Sequence, residues 1–221
     1  MLRFIDSIKK DDDKFNLIDI GAGSGFFSYE INAYCPENIV KTMLVDTGYS
    51  TSEIATSKNA LIQKQHELPE SLQNSVVLMM DVLEHLEDDL QMLKNIKRNA
   101  RAGKENHFFI TVPAFQSVWS AHDVYLEHYR RYSKTSLLHV LNEASFKTDR
   151  IYYLYGSLFP LVFLKRKMGN PFSPKNKPIV SDMKPLPNWL NKLLLKYSQI
   201  EMMFTKYNSW FGLTCVAEGR F

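Results

Sequence analysis

Leu17-Ile18-Asp19-Ile20-Gly21-Ala22-Gly23-Ser24-Gly25 is the stretch on which the reading of this chain turns. Apolar residues around one acid mark the end of a buried strand. The glycines mark a tight turn, and Phe26-Phe27-Ser28-Tyr29-Glu30-Ile31 opens a helix. Strand, glycine turn and helix form the opening unit of an α/β nucleotide-binding sheet. Glycine suits the turn because it accepts positive φ and lets a ligand approach the backbone. The plainer alternative is a strand–turn–helix with incidental glycines.

The rhythm continues outward from this turn. The helix ends near Ala33-Tyr34-Cys35-Pro36, where proline interrupts it. Ile39 to Val45 is a β-favouring run that ends in Asp46, about 20 residues beyond the glycines, where such folds place an acid that binds ribose hydroxyls. Thr51 to Asn59 reads as a helix and Leu61 to Gln65 as a strand. His66-Glu67-Leu68-Pro69 then falls where an adenine-contacting loop would sit. Ser75 to Met80 is a buried strand, and Asp81-Val82-Leu83-Glu84-His85 follows. One amphipathic helix is expected from Val82 to about Ala100, stopped by Gly103. His107 to Pro113 is the fifth strand. Strands alternating with helices argue a doubly wound, mostly parallel sheet, which binds ligands at the carboxyl ends of its strands. Gly21, Asp46, Asp81 and Pro113 all lie at those ends.

The glycine spacing narrows the ligand. A dinucleotide loop reads G-x-G-x-x-G and a P-loop ends in Gly-Lys-Ser/Thr. Here the run is G-x-G-x-G, with Phe26 where a third dinucleotide glycine would stand and no Lys-Ser/Thr pair. That counts against a dehydrogenase. Together, Asp19-x-Gly21-x-Gly23-x-Gly25 and Asp81-Val82-Leu83-Glu84-His85 resemble the class I S-adenosylmethionine-dependent methyltransferases. The run from Val112-Pro113-Ala114 through Trp119-Ser120 to His128-Tyr129-Arg130-Arg131-Tyr132 is similar to a type 11/12-like small-molecule methyltransferase subgroup, over nearly the whole chain. This resemblance implies a seven-stranded Rossmann-like sheet whose last strand, Trp210 to Gly219, runs antiparallel. It implies S-adenosylmethionine as cofactor, S-adenosylhomocysteine as product, and a small-molecule acceptor, lipid-like or glycan-related. Asp19, Gly21, Ala22, Gly23, Gly25, Phe26, Asp46, Leu68, Met80, Asp81 and Val82 would border the cofactor.

The aromatic, His- and Arg-rich segment 114–133 is expected as a lid over the cleft. Trp119, Asp123, Tyr129 and Arg131 would contact the acceptor. His85, His122 and His128 are the candidate general bases, because histidine titrates near neutrality. The plainer readings are a solvated His85 on a helix face, and arginines paired with acids in a packed lid. A metal held by His122, Asp123 and His128 is disfavoured, since their spacing matches no standard zinc pattern; no metal is expected.

Ser133 should cap a helix to about Ser145, and Thr148 to Tyr155 should be the sixth strand. An insertion of roughly 50 residues, about 156–207, then separates the last strands, far beyond an ordinary loop. It contains an apolar helix ending in Lys165-Arg166-Lys167, a proline-rich stretch from Asn170, and a second amphipathic helix over 188–207. It could pack over the site, form a homodimer face, or touch a membrane surface or lipid-like substrate.

At 221 residues the chain fits one domain with this elaboration. Its 45% hydrophobic and 23% charged content is that of a soluble protein, and a net charge of +3 gives no case for bulk nucleic-acid binding. Cys35 and Cys215 form no metal pattern and suit free thiols in a reducing, cytoplasmic setting. The N-terminus runs into Asp11-Asp12-Asp13 and does not read as a signal peptide. The rival from another class is a non-catalytic adaptor of the same fold, which would not need the glycine loop and Asp46.

Overall fold

The computed structural model describes residues 1–9, 14–103, 105–168, 187–203, 208 and 210–221. The chain opens with α1 (Leu2–Ile8), β1 (Phe15–Ile20), α2 (Phe26–Tyr34) and β2 (Ile39–Val45). It continues with α3 (Thr51–Ser57), β3 (Ile62–Gln65) and β4 (Ser75–Met80). A 3-10 turn over Leu83–His85 precedes α4 (Asp89–Asn99) and β5 (Asn106–Pro113). A second such turn (Gln116–Val118) leads to α5 (Ala121–Tyr125), α6 (Lys134–Glu143) and β6 (Lys147–Leu154). Then come α7 (Phe159–Met168), α8 (Asn188–Met203) and β7 (Thr214–Arg220).

The strands form one seven-stranded sheet in the order β3-β2-β1-β4-β5-β7-β6. β1 pairs in parallel with both β2 and β4, and β7 runs antiparallel between β5 and β6. The order reverses between β1 and β4, and the crevice outside their carboxyl ends is the natural ligand site. Helices cover both faces, which explains why β4 reads as an unbroken apolar run rather than an alternating one. Its side chains still alternate in direction. Val77 and Met79 join Leu93, Ile96, Leu137 and Leu141, from α4 and α6, in one core. Val76 and Leu78 join Phe4, Ile5 and Ile31, from α1 and α2, in the other.

The expected helix from Val82 to Ala100 is interrupted. Leu83–His85 is a single 3-10 turn, Leu86 is extended, and α4 starts afresh at Asp89. The Asp88 carboxylate causes the restart, accepting the Gln91 N–H at 2.8 Å as an N-cap. α4 also ends at Asn99 with an extended Ala100, so Gly103 belongs to the following turn and not to the helix stop. The proline-rich stretch 170–186, the expected end of the second inserted helix at 204–207 and the acidic turn 11–13 lie outside the described residues. Among the described residues no helix is long and apolar enough to cross a membrane.

Candidate active site

β1 delivers the glycine turn to the crevice. The Gly21 and Ala22 N–H groups donate to the Val45 carbonyl at 2.8 and 3.3 Å, tying the turn to the end of β2. Gly21 has φ +68°, and a Cβ there would stand 2.5 Å from Val82 Cγ2, so the turn and the Val82 segment are in close contact only because Gly21 lacks one. Gly23 is the opposite case: a Cβ there would meet nothing within 4 Å. Its backbone faces open space, as a ligand-cradling residue should. The Asp46 carboxylate accepts the Gly23 N–H at 2.8 Å through one oxygen and the Gly48 N–H at 2.8 Å through the other. Two neutral donors fix it in place and leave lone pairs on both oxygens for a ligand's hydroxyls.

Asp19 lies beneath the turn, only 2% exposed. Burial pushes its pKa up to about 6, against the Ser28 hydroxyl that donates to it at 2.7 Å, and the Asp46 charge adds to the rise.

Beside the turn is a cleft of about 480 Å³, within the usual range for small-molecule sites. Gly21, Asp46, Leu68 and Val82 line it, together with Thr47, His66, Glu67 and Leu86. Ala22, Gly23 and Gly25 shape the turn next to it; Met80 ends β4 and Asp81 follows it. Phe26 projects into solvent at 61% exposure from the start of α2 and is not among the lining residues. α4 contributes Met92, Asn95, Arg98 and Asn99, which reading the sequence alone missed. The available signal was their spacing along the helix. Met92, Asn95 and Asn99 share one helical stripe, a pattern already present in the expected helix.

Segment 114–133 folds back on itself. Phe115 N–H and Tyr132 O meet at 2.9 Å, and Tyr132 N–H reaches the Pro113 carbonyl at 2.9 Å, so the segment's ends are clasped together. Its far half is stitched to residues 83–89. The Tyr129 N–H donates to the Glu84 carbonyl at 2.7 Å, Arg130 pairs with Asp89 at 3.0 Å, and the Tyr132 hydroxyl donates to Asp89 at 2.5 Å. Phe115 takes φ +58°, costly for a bulky residue. Its ring is held against Tyr153 and Phe159 at centroid distances of 4.8 and 5.2 Å.

Asp123, expected at the acceptor, is instead fully buried in this segment. Its carboxylate accepts from Arg131 Nε at 2.6 Å, from the Ser120 N–H at 2.8 Å and from the Ser120 hydroxyl at 3.1 Å. His128 Nδ1 lies 3.2 Å away. Burial alone would raise the Asp123 pKa; the Arg131 guanidinium and these hydrogen bonds outweigh it and hold the pKa below the usual range. Arg131 also donates to the Ala114 carbonyl at 3.1 Å. Asp123 and Arg131 thus tie the segment together. Trp119 is half-buried and Tyr129 is 55% exposed. On the outer side, the Arg166 guanidinium of α7 donates to the Val118 carbonyl and lies 3.9 Å from Asp123.

The three candidate histidines do not meet. His85 and His128 pack edge to face with ring centroids 4.6 Å apart. His122 instead stacks with Tyr125 at 6.4 Å, its Nδ1 buried without a partner. The His pair is joined by a residue the sequence reading passed over, Glu84. Its side chain is fully buried, and neither carboxylate oxygen has a hydrogen-bond partner. Burial, with the Asp81 charge in support, pushes its pKa up to about 8. Burial likewise lowers the His128 pKa, against the pull of Asp123. Asp81 takes φ +56° and bonds Thr111 through its N–H and its carboxylate. Segment 81–86 therefore divides two regions: Val82 and Leu86 face the cleft, while Glu84 and His85 gather with His128.

A family model described as a methyltransferase domain matches residues 1–151. No protein of curated function matches the chain in sequence. Solved structures with the same fold include an S-adenosylmethionine-dependent methyltransferase from Mesorhizobium loti (10% identity, TM-score 0.55, covering 98% of this chain and 95% of that one). Another is a SAM-dependent methyltransferase from Archaeoglobus fulgidus (14% identity, TM-score 0.54, 100% and 92%). LepI in complex with SAM also matches (16% identity, TM-score 0.50), across 69% of this chain but 42% of LepI.

Proposed function

The chain belongs to the methyltransferase-domain family and has the fold of S-adenosylmethionine-dependent methyltransferases, and from that premise we propose that it methylates a small-molecule acceptor. The observation that carries the cofactor site is Asp46, fixed at the cleft wall by the Gly23 and Gly48 N–H groups. The residues fit this cofactor: the open backbone at Gly23, the carboxylate at the rim and the mostly apolar cleft suit an adenosine. S-adenosylmethionine supplies, when bound, an electrophilic sulfonium methyl that needs no further activation.

The chain's own contribution is then binding, alignment and removal of a proton. Asp46 holds the ribose hydroxyls, and Gly21, Ala22, Gly23 and Gly25 let the backbone come close. Leu68 and the 66–69 loop cover the adenine, with Asn95 and Asn99 of α4 opposite. Asp19 and the Met80–Val82 backbone border the methionine end. The His85–His128 pair lies across segment 81–86 and receives the acceptor's proton, while Trp119 and Tyr129 wall the acceptor. Asp123 and Arg131 keep His128 in place. His122 is the least suited of the three histidines, since it stands apart from the pair.

The inserted helices favour a lipid-like acceptor or a membrane surface over a fully polar one. α7 exposes Leu161 and Leu164, and α8 exposes Trp189, Leu193 and Ile200 along one stripe. Such a face suits an interface.

Calorimetry with S-adenosylmethionine and S-adenosylhomocysteine tests the reading. We expect micromolar binding, and Asp46→Ala to weaken it at least tenfold, since charge-assisted hydrogen bonds contribute about 1.5–3 kcal/mol. A folded chain that binds neither molecule, with Asp46→Ala no different, would replace the enzyme by a non-catalytic adaptor.

A further inference from the structure

We propose that Glu84, His85 and His128 form a binding site for a divalent first-row transition-metal cation. One ligand atom from each residue lies within 4.8 Å of the others. Two imidazoles and a carboxylate, with positions left open, are a donor set that zinc, iron and manganese accept. A tetrahedral zinc with bonds of about 2.0 Å wants its ligands about 3.3 Å apart. The exposed His85 ring can turn to close that difference.

Independent features point to a ligand here. Glu84 is fully buried, yet both carboxylate oxygens lack a partner. A buried carboxyl group whose oxygens meet no hydrogen-bond partner is costly, and a cation that displaces its proton would satisfy those oxygens. His128 has the carboxylate partner that metal-ligating histidines usually have. Its Nδ1 faces the Asp123 carboxylate at 3.2 Å, which leaves Nε2 for a cation and makes it the more basic nitrogen. Asp123 is locked in turn by Arg131 at 2.6 Å and Ser120 at 2.8 Å. This is a different set from the disfavoured grouping of His122, Asp123 and His128. There Asp123 is occupied by Arg131 and His122 stands apart.

Whether the cation binds does not depend on the methyl-transfer reading; what it does there rests on that reading. Methylation of a hydroxyl forms an oxygen–carbon bond as the sulfur–carbon bond breaks. The bonding pair stays on sulfur, and with both imidazoles engaged by the cation the hydroxyl proton would leave to water instead of to the His pair. A cation beside the His pair would stabilise the negative charge on the acceptor oxygen and take over the imidazole's part in the deprotonation.

The test is calorimetry of the chelator-stripped chain with Zn2+. The expected result is one cation bound per chain with micromolar or tighter affinity. Glu84→Gln and His128→Ala should each weaken it tenfold or more, and His139→Ala, on the exposed face of α6, should not. Zn2+ should raise the melting temperature of the wild type, and at the same concentration raise that of Glu84→Gln by less. Glu84→Gln keeps the side-chain volume and removes only the ability to become an anionic ligand, so it decides the question if His128→Ala fails to fold. No binding by the wild type, or equal binding by wild type and Glu84→Gln, would overturn the site. S-adenosylmethionine binding is measured on the same sample. Cofactor binding without Zn2+ binding overturns the cation site alone, and the reverse overturns the methyl-transfer reading alone.

Discussion

Replacing Asp123 by Ala should unfold the chain more readily than any substitution on its surface. Asp123 and Arg131 are nearly excluded from water, with side-chain exposures of 0% and 8%, and their 2.6 Å contact is not screened by solvent. Removing the carboxylate strands a buried guanidinium, which typically costs about 3–5 kcal/mol. Arg131 keeps its 3.1 Å bond to the Ala114 carbonyl, which argues for the lower end. The lost Ser120 N–H acceptor, a helix cap for α5, adds about 1 kcal/mol. We therefore expect about 4 kcal/mol in urea denaturation at pH 7, and a fall in melting temperature of roughly 10 °C for a domain of this size. The double variant Asp123→Ala/Arg131→Leu should recover part of the loss, because the stranded charge is gone. A single variant within about 1 kcal/mol of wild type, or a double variant no better than Asp123→Ala, would refute the claim that this pair ties segment 114–133 together.

Gly21→Ala and Gly23→Ala should separate folding from binding. The first combines φ +68° with a clash against Val82 and should cost about 1–3 kcal/mol in denaturation. The second meets only the φ cost of about 1 kcal/mol, yet its methyl enters the open space over the turn and should abolish cofactor binding. Equal losses of stability, or full cofactor affinity in Gly23→Ala, would count against this loop geometry. Asp19 predicts a pH dependence. Its folded pKa of about 6 stands above the ordinary 3.8, so its stabilising contribution is complete below pH 3.8 and disappears as pH rises through 6. The span is about 3 kcal/mol. Asp19→Asn should gain on wild type across that window and hold its gain above it. A stability difference that stays flat from pH 4 to 8 would show that Asp19 is not buried as described.

The glycine turn and the strands around it were legible from the chain alone because their signals are local. Gly21, Gly23 and Gly25 each take positive φ, a demand that a glycine declares without help from the rest of the molecule. The unbroken apolar run Ser75–Met80 declares a strand covered on both faces, and Asp46 follows its strand at the required distance. Those features determined the mostly parallel sheet and put the glycine turn at the carboxyl ends of its strands; the strand order came from the tertiary structure. The acceptor side depends on contacts between residues far apart in sequence. Glu84 looked like one acid among many in Glu84-His85-Leu86-Glu87-Asp88-Asp89; only its burial against His128, brought over by segment 114–133, singles it out. Asp123 looked like a substrate contact because charged residues usually sit at the surface. Its ion pair with Arg131 lies inside the fold, where a charge can be kept only if its partner is delivered with it. Local conformational demands are written residue by residue, whereas burial and charge pairing belong to the folded chain, and only the tertiary structure decided them.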